Sequence, residues 1–144
     1  MDSMKAQQVM SGTEGELWID GTKMAQVEQF KAEVNLNKQE VKQVKKRSKQ
    51  YKVTGWEGKG SLKLNHVSSF FIDKMSDNIK EGHQTVCTLI GKLSDPDAIG
   101  DERVVIYDAT FDKLTLMDWE AQKLTEDSYD FTFTDFDILD SASE

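Results

Sequence analysis

Phe30, Ala32, Val34 and Leu36 alternate with Lys31, Glu33 and Asn35, and near the other end of the chain Phe131 and Phe133 alternate with Asp130, Thr132 and Thr134. Successive side chains of a strand point to opposite faces, so a period of two dictates strands with one apolar and one wet face. In SLKLNHV, Leu62, Leu64 and His66 share a parity, which makes this segment the facing partner of the first run. Asp20-Gly21 sits between the short apolar segments of GELWIDGTKM, and Asp-Gly supplies the positive φ angles of a two-residue hairpin turn. Further strands are predicted in QTVCTLIGKL, RVVIYDATFDKLTLMDW and SYDFTFTDFDIL.

The apolar phase slips inside two of these segments. Val104 and Ile106 share a face that Phe111 leaves, which predicts a bulge or bend around 108–110. Phe136 and Ile138 likewise have the parity opposite to Phe131 and Phe133. Such breaks suit strands that turn the corner of a barrel or a sandwich. Only one stretch has a helical period: Phe71, Met75 and Ile79 recur every fourth residue, Ser68 or Ser69 caps the start and Gly82 the end, which predicts a helix over 69–81. The fold class is therefore mainly β with one helix. A chain of 144 residues is long enough for a single packed domain, 1–144. Residues 1–12 lack any period and are read as a flexible N-terminal arm.

Between the two facing strands lies a stretch, 37–60, of about 24 residues, against 2 to 5 in ordinary hairpin loops. It is read as a long basic loop. Residues 38–52 hold Lys38, Lys42, Lys45, Lys46, Arg47, Lys49 and Lys52 against Glu40, a net +6 in a chain whose formal charge is −8. The opposite pole is residues 94–144, with a net charge of −12. Three readings compete for the basic stretch: a solvated, mobile loop, a nucleic-acid contact, and an arm that docks on another copy of the chain. As a nucleic-acid contact it would give a salt-dependent, sequence-independent affinity through phosphate. Its aromatic interleaving is thin, however, with Tyr51 and then Trp56, and the remaining surface repels a polyanion. Docking on an acidic surface of another copy of the chain ranks above it.

Residues that would carry chemistry do not assemble. His66 and His83 are far apart, and no HExxH or CxxC pattern is present to anchor a metal. Asp95, Asp97 and Gly100 fall at EF-hand positions 1, 3 and 6, but Ile99 and Ile106 stand where oxygen ligands are required. Gly58 and Gly60 begin a GxGxxG that Lys63 breaks, and a strand follows it. No nucleophile, base and orienter can be combined, so neither catalysis nor a cofactor is expected. Cys87 stands alone, which excludes an intrachain disulfide and fits a reducing compartment. The N-terminal sequence has no apolar run of the signal-peptide kind, so an intracellular, soluble chain is expected.

The order TEGELWIDG, then FKAEVNLNKQEVKQVKKRSKQYKVTGWEGKGSLKLNH, a short helix and the ending YDFTFTDFDIL resembles the tail tube proteins of contractile-tailed phages, and in particular those of defective phage-like elements of Bacillus. The resemblance implies two packed antiparallel sheets or a rolled β-barrel with a helix on the flank. It implies a structural subunit that stacks, as hexameric rings, into a hollow conduit, with a long loop reaching to a neighbouring ring. Carried onto this chain, that loop is 37–60, and Lys42, Lys45, Lys46, Arg47, Lys49 and Lys52 become candidate intersubunit contacts. The implied partners are the chain itself and the tail sheath, tape-measure and baseplate proteins, with DNA only as passing cargo in the lumen. The implied location is the bacterial cytoplasm during assembly and then a phage-like particle. A nucleic-acid-binding β-barrel module and another tail or baseplate component are the alternatives.

Overall fold

The computed structural model describes residues 15–24, 27–42, 48–65, 69–93 and 101–140. The elements run β1 (Gly15–Ile19), β2 (Thr22–Lys23), β3 (Val27–Val41), β4 (Gln50–Asn65), α1 (Phe70–Glu81), β5 (Cys87–Leu93), β6 (Glu102–Phe111), β7 (Glu126–Phe133) and β8 (Asp135–Asp140). All pairings are antiparallel, in the order β2-β1-β5-β6-β7-β4-β3, with β8 added alongside β6. The expected mainly β fold with one helix is what forms. Among the described residues the terminal strands of this order, β2 and β3, are not paired to each other, so the sheet is rolled but open.

β6 makes the corner. Its first part pairs with β5 and β8, and Thr110 and Phe111 pair with β7. Leu89 faces Ile106 and Cys87 faces Ala109, so β6 spends one residue more than β5 over this interval. Asp108 takes up that bulge at φ 56°, a left-handed conformation that Asp tolerates better than most residues. Its carboxylate accepts a hydrogen bond from Thr134 Oγ1 at 2.9 Å, and Thr134 separates β7 from β8. Both phase slips in the sequence thus mark one corner. β7 alternates strictly, burying Asp127, Tyr129, Phe131 and Phe133 while Asp130 and Thr132 face outward.

The rolled sheet encloses Leu17, Ile19, Leu89 and Ile106 from one side and Leu62, Leu64, Tyr129 and Phe131 from the other. α1 closes one end: Phe71 stacks on Tyr129 at 4.2 Å between ring centroids and meets Phe111 edge-on at 5.2 Å. Gly82, at φ 77°, ends the helix as expected, whereas Ser69 stands at the N-cap without a side-chain hydrogen bond. Ile79, expected on the same buried face as Phe71 and Met75, is exposed.

The β1–β2 turn is tied to this helix. Asp20 and Gly21 take φ 49° and 85°, the two positive values that an Asp-Gly hairpin needs. The Asp20 carboxylate accepts the Thr88 backbone N–H at 2.7 Å and pairs with the Lys74 ammonium of α1. Burial alone would push the Asp20 carboxyl up, but the Lys74 hydrogen bond, the Thr88 N–H and the Lys74 charge outweigh it and hold the carboxyl below its ordinary value. The same contact raises Lys74. Beside them, burial and then the Asp20 charge push the Cys87 thiol up to about 11, which makes it inert as a nucleophile at neutral pH. Asp20→Asn preserves the turn, since Asn accepts positive φ, and removes the charge. It is expected to cost on the order of 1 kcal/mol at pH 7. Because the folded carboxyl lies below 3.8, that difference is present above pH 3.8 and shrinks as the pH falls further. Urea titrations of both proteins from pH 7 to pH 2.5 measure it.

Two sequence expectations are corrected. The segment 37–60 is not a loop: β3 and β4 stay paired from Val27↔Leu64 out to Val41↔Gln50, leaving only the residues between Val41 and Gln50 as the connection. Away from the core both faces of a ribbon can be polar, so the apolar alternation that identifies strands fades although the ladder continues. The strand read through RVVIYDATFDKLTLMDW ends at Phe111. Leu114 and Leu116 then have one parity and Met117 and Trp119 the other, so no single face could be buried, and 112–125 contains no strand. The N-terminal arm 1–12, His66 and the EF-hand-like run at 95–100 lie outside the described residues.

Candidate intersubunit surface

β4 pairs with β7 only from Gly58 to Asn65, so Gln50–Glu57 has β3 as its only strand partner among the described residues. The ribbon made by Asn35–Val41 and Gln50–Glu57 extends roughly 23 Å beyond the three-stranded part of the sheet, at about 3.3 Å per residue over seven residues. A two-stranded ribbon without a covering layer is at best marginally stable in water, and its free edges are templates for another strand.

Its two faces differ. Leu36↔Trp56 and Val34↔Gly58 continue the parity of the core pair Phe30↔Leu62. Between Asn37 and Lys38 the register shifts, because Thr54 is an extra residue in β4; Thr54 Oγ1 donates to the Asn37 carbonyl at 3.3 Å. Beyond this bulge Lys38 faces Val53 and Glu40 faces Tyr51. The shift therefore places Val53 and Tyr51 on the same face as Leu36 and Trp56, whereas an unbroken register would have put them on the other. One face of the ribbon carries an apolar stripe running out from the core, with Leu36, Tyr51 and Val53 each at least half exposed. Trp56 joins stripe to body, its ring lying edge-on to Phe136 at 5.7 Å. The opposite face of the ribbon bears Asn35, Asn37, Gln39, Lys52 and Glu57 and continues the face of the sheet on which Lys31 pairs with Glu33 and Lys59 with Glu57.

Of the candidate contact residues, Lys42 and Lys49 flank the tip, and Lys52 lies opposite Gln39 on the polar face; all three are exposed. Lys45, Lys46 and Arg47 lie outside the described residues. The charge pattern of the sequence does not show the apolar stripe. Its signal was present in Trp56, Val53 and Tyr51, but the bulge puts the three out of phase, so a period of two does not collect them. The loop 112–125 is a second surface of this kind, with Leu116, Met117, Trp119 and Leu124 strongly exposed. Among the described residues no cluster of His, Cys, Asp or Glu is placed to hold a metal, and no helix is long and apolar enough to cross a membrane.

A rolled sheet that leaves a long, one-sided apolar ribbon outside its own core has the build of an assembly subunit, whose free surfaces are completed by other chains. The family model for phage tail tube proteins matches residues 2–140. The chain belongs to the phage tail tube protein family, and it is a structural subunit of a tail tube. It is 38% identical, over 99% of its length and 98% of the relative's, to protein XkdM of the phage-like element PBSX of Bacillus subtilis. Its fold matches a chain in the structure of the anti-feeding prophage cap, a tube-terminating cap, with a TM-score of 0.74 at 9% identity, covering 97% of each chain. It also matches a chain in the extended sheath–tube complex of an extracellular contractile injection system, with a TM-score of 0.72 at 8% identity, over 94% of this chain and 98% of that one.

Proposed function

We propose that the chain folds as one tail-tube unit and assembles into stacked hexameric rings that enclose a conduit, each subunit holding its neighbours through the β3–β4 ribbon. The observation that carries this reading is the ribbon itself: beyond Trp56, its apolar stripe and its open edges have no partner strand or covering layer among the described residues, and its tip is cationic in an otherwise acidic protein. Lys42, Lys45, Lys46, Arg47, Lys49 and Lys52 steer the tip toward acidic surface on another copy, and the stripe supplies the burial that holds it. Tail sheath, baseplate and tape-measure proteins are the outer and terminal partners. DNA is passing cargo, and assembly takes place in the host cytoplasm before the tube enters a phage-like particle. The names of the structural relatives, a tube cap and a sheath–tube complex, support self-association and a sheath partner.

Light scattering of the purified chain over a hundredfold concentration range tests this reading. Mass is expected to grow cooperatively above a threshold concentration. A constant monomer mass throughout, with or without a preformed tail baseplate as nucleus, would contradict it.

A further inference from the structure

The open seam of the rolled sheet, between β1 and the first half of β3, contains a cleft of about 450 Å³. Its walls are apolar, formed by Leu17, Val27, Phe30, Leu93, Val104 and Ile106. Glu16, Glu28 and Glu102 stand among the lining residues, against Lys92. Glu28 is there because β3 carries a bulge at that position: Val27 pairs with Leu64 and Gln29 with Lys63, leaving Glu28 as the extra residue. The floor is also specified. A methyl group on Gly91 would lie 2.8 Å from the ring of Phe30, so the glycine lets that ring settle against β5 and shape the cleft.

We infer that this seam cleft is the receptor for the ribbon of a second copy, whose apolar stripe covers the walls while its cationic tip and edges meet the carboxylates. The inference rests on the ribbon acting as an intersubunit arm. Three observations select the occupant. The stripe is apolar and exposed, the partly buried Val27, Phe30 and Val104 line the cleft above the core residues Leu17 and Ile106, and a volume of this size, within the roughly 300–1,000 Å³ typical of ligand pockets, admits large side chains rather than a whole element. The charges are complementary, with Lys42 and Lys49 at the tip of the arm and Glu28 and Glu102 at the cleft, where Glu16 is already paired with Lys23 at 3.6 Å. The ribbon also cannot serve its own cleft: stripe and cleft lie at opposite ends of β3, and a paired ladder does not fold back on its root. The contact is head-to-tail, so it propagates through a ring or a stack rather than stopping at a dimer.

The test is Glu28→Cys combined with Val53→Cys in one chain, oxidised during assembly; Cys87 is buried and does not compete. A ladder of covalent multimers is expected on a non-reducing gel, at least tenfold above that from a control pair carrying Asp130→Cys, on the outward face of β7, in place of Glu28→Cys. Assembled particles without that excess would overturn the receptor assignment and leave the arm reading intact, whereas failure of the unsubstituted chain to assemble would overturn the arm reading itself. If the cysteine pair blocks assembly, charge exchange decides. Glu28→Lys with Glu102→Lys is expected to raise the assembly threshold at least tenfold, and adding Lys42→Glu with Lys49→Glu to lower it again. A threshold unmoved by the first exchange, or not recovered by the second, would overturn the assignment.

Discussion

Gly60→Ala is expected to lower the stability of the chain by about 3 kcal/mol, at the upper end of the cost of overpacking a core. For a chain of this length that corresponds to a fall in Tm of about 10 °C. Gly60 lies in the middle of β4, paired with Ala32 on one side and Phe131 on the other. A methyl group there would overlap the main-chain carbonyl oxygen of Lys31 and the ring of Phe131. A flexible side chain could yield to such a methyl. Here one obstacle is backbone held in a ladder, and the other is a ring that is 1% exposed and stacked on Phe30. Gly55→Ala is the matched control. Its methyl would meet nothing nearer than the Asn37 side chain at 3.9 Å, so its Tm should not fall. Thermal unfolding followed by circular dichroism compares the three proteins, and equal Tm values for Gly60→Ala and the parent would mean that β3, β4 and β7 are not packed as described.

The second large effect concerns assembly and leaves the fold alone. Tyr51→Ser with Val53→Ser is expected to leave Tm within about 2 °C of the parent, because both side chains are at least half exposed and belong to no core cluster. The same pair should raise the threshold concentration for assembly about a hundredfold. Full burial of a large apolar side chain is worth about 1.5 to 3 kcal/mol. Two half-exposed side chains that become covered gain about half of that each, about 1.5 to 3 kcal/mol per contact together, and since each 1.4 kcal/mol is a factor of ten the upper end of this range is the hundredfold effect. The concentration dependence of light scattering measures the threshold. An unchanged threshold would show that the stripe is not at a subunit contact.

Much of the body was legible in the sequence because there local pattern and burial agree. Asp20-Gly21 specified its turn, Phe71, Met75 and Gly82 specified the helix, and Phe131 and Phe133 specified a strand whose alternate side chains are buried. The phase slips at Phe111 and Phe136 correctly pointed to a corner, although not to its being one corner shared by β6, β7 and β8. The ribbon was illegible for a physical reason: among the described residues no core lies beneath it to enforce a period of two, so its strands carry charge and have the sequence pattern of a loop. The apolar stripe was hidden by a single residue. Thr54 shifts the register, and without knowledge of that bulge Val53 and Tyr51 are assigned to the wrong face. The seam cleft depends on β1, β3, β5 and β6, segments distant in sequence, and no local pattern announces it.

The central claim is that the β3–β4 ribbon leaves its own subunit and completes another, and electron cryomicroscopy of particles assembled from the purified chain tests it most directly. The account requires a hollow tube of stacked rings in which residues 35–57 of each subunit lie against a neighbouring subunit, with Tyr51 and Val53 covered. Particles in which the ribbon packs onto its own subunit, or stands in solvent with Tyr51 and Val53 uncovered, would contradict it.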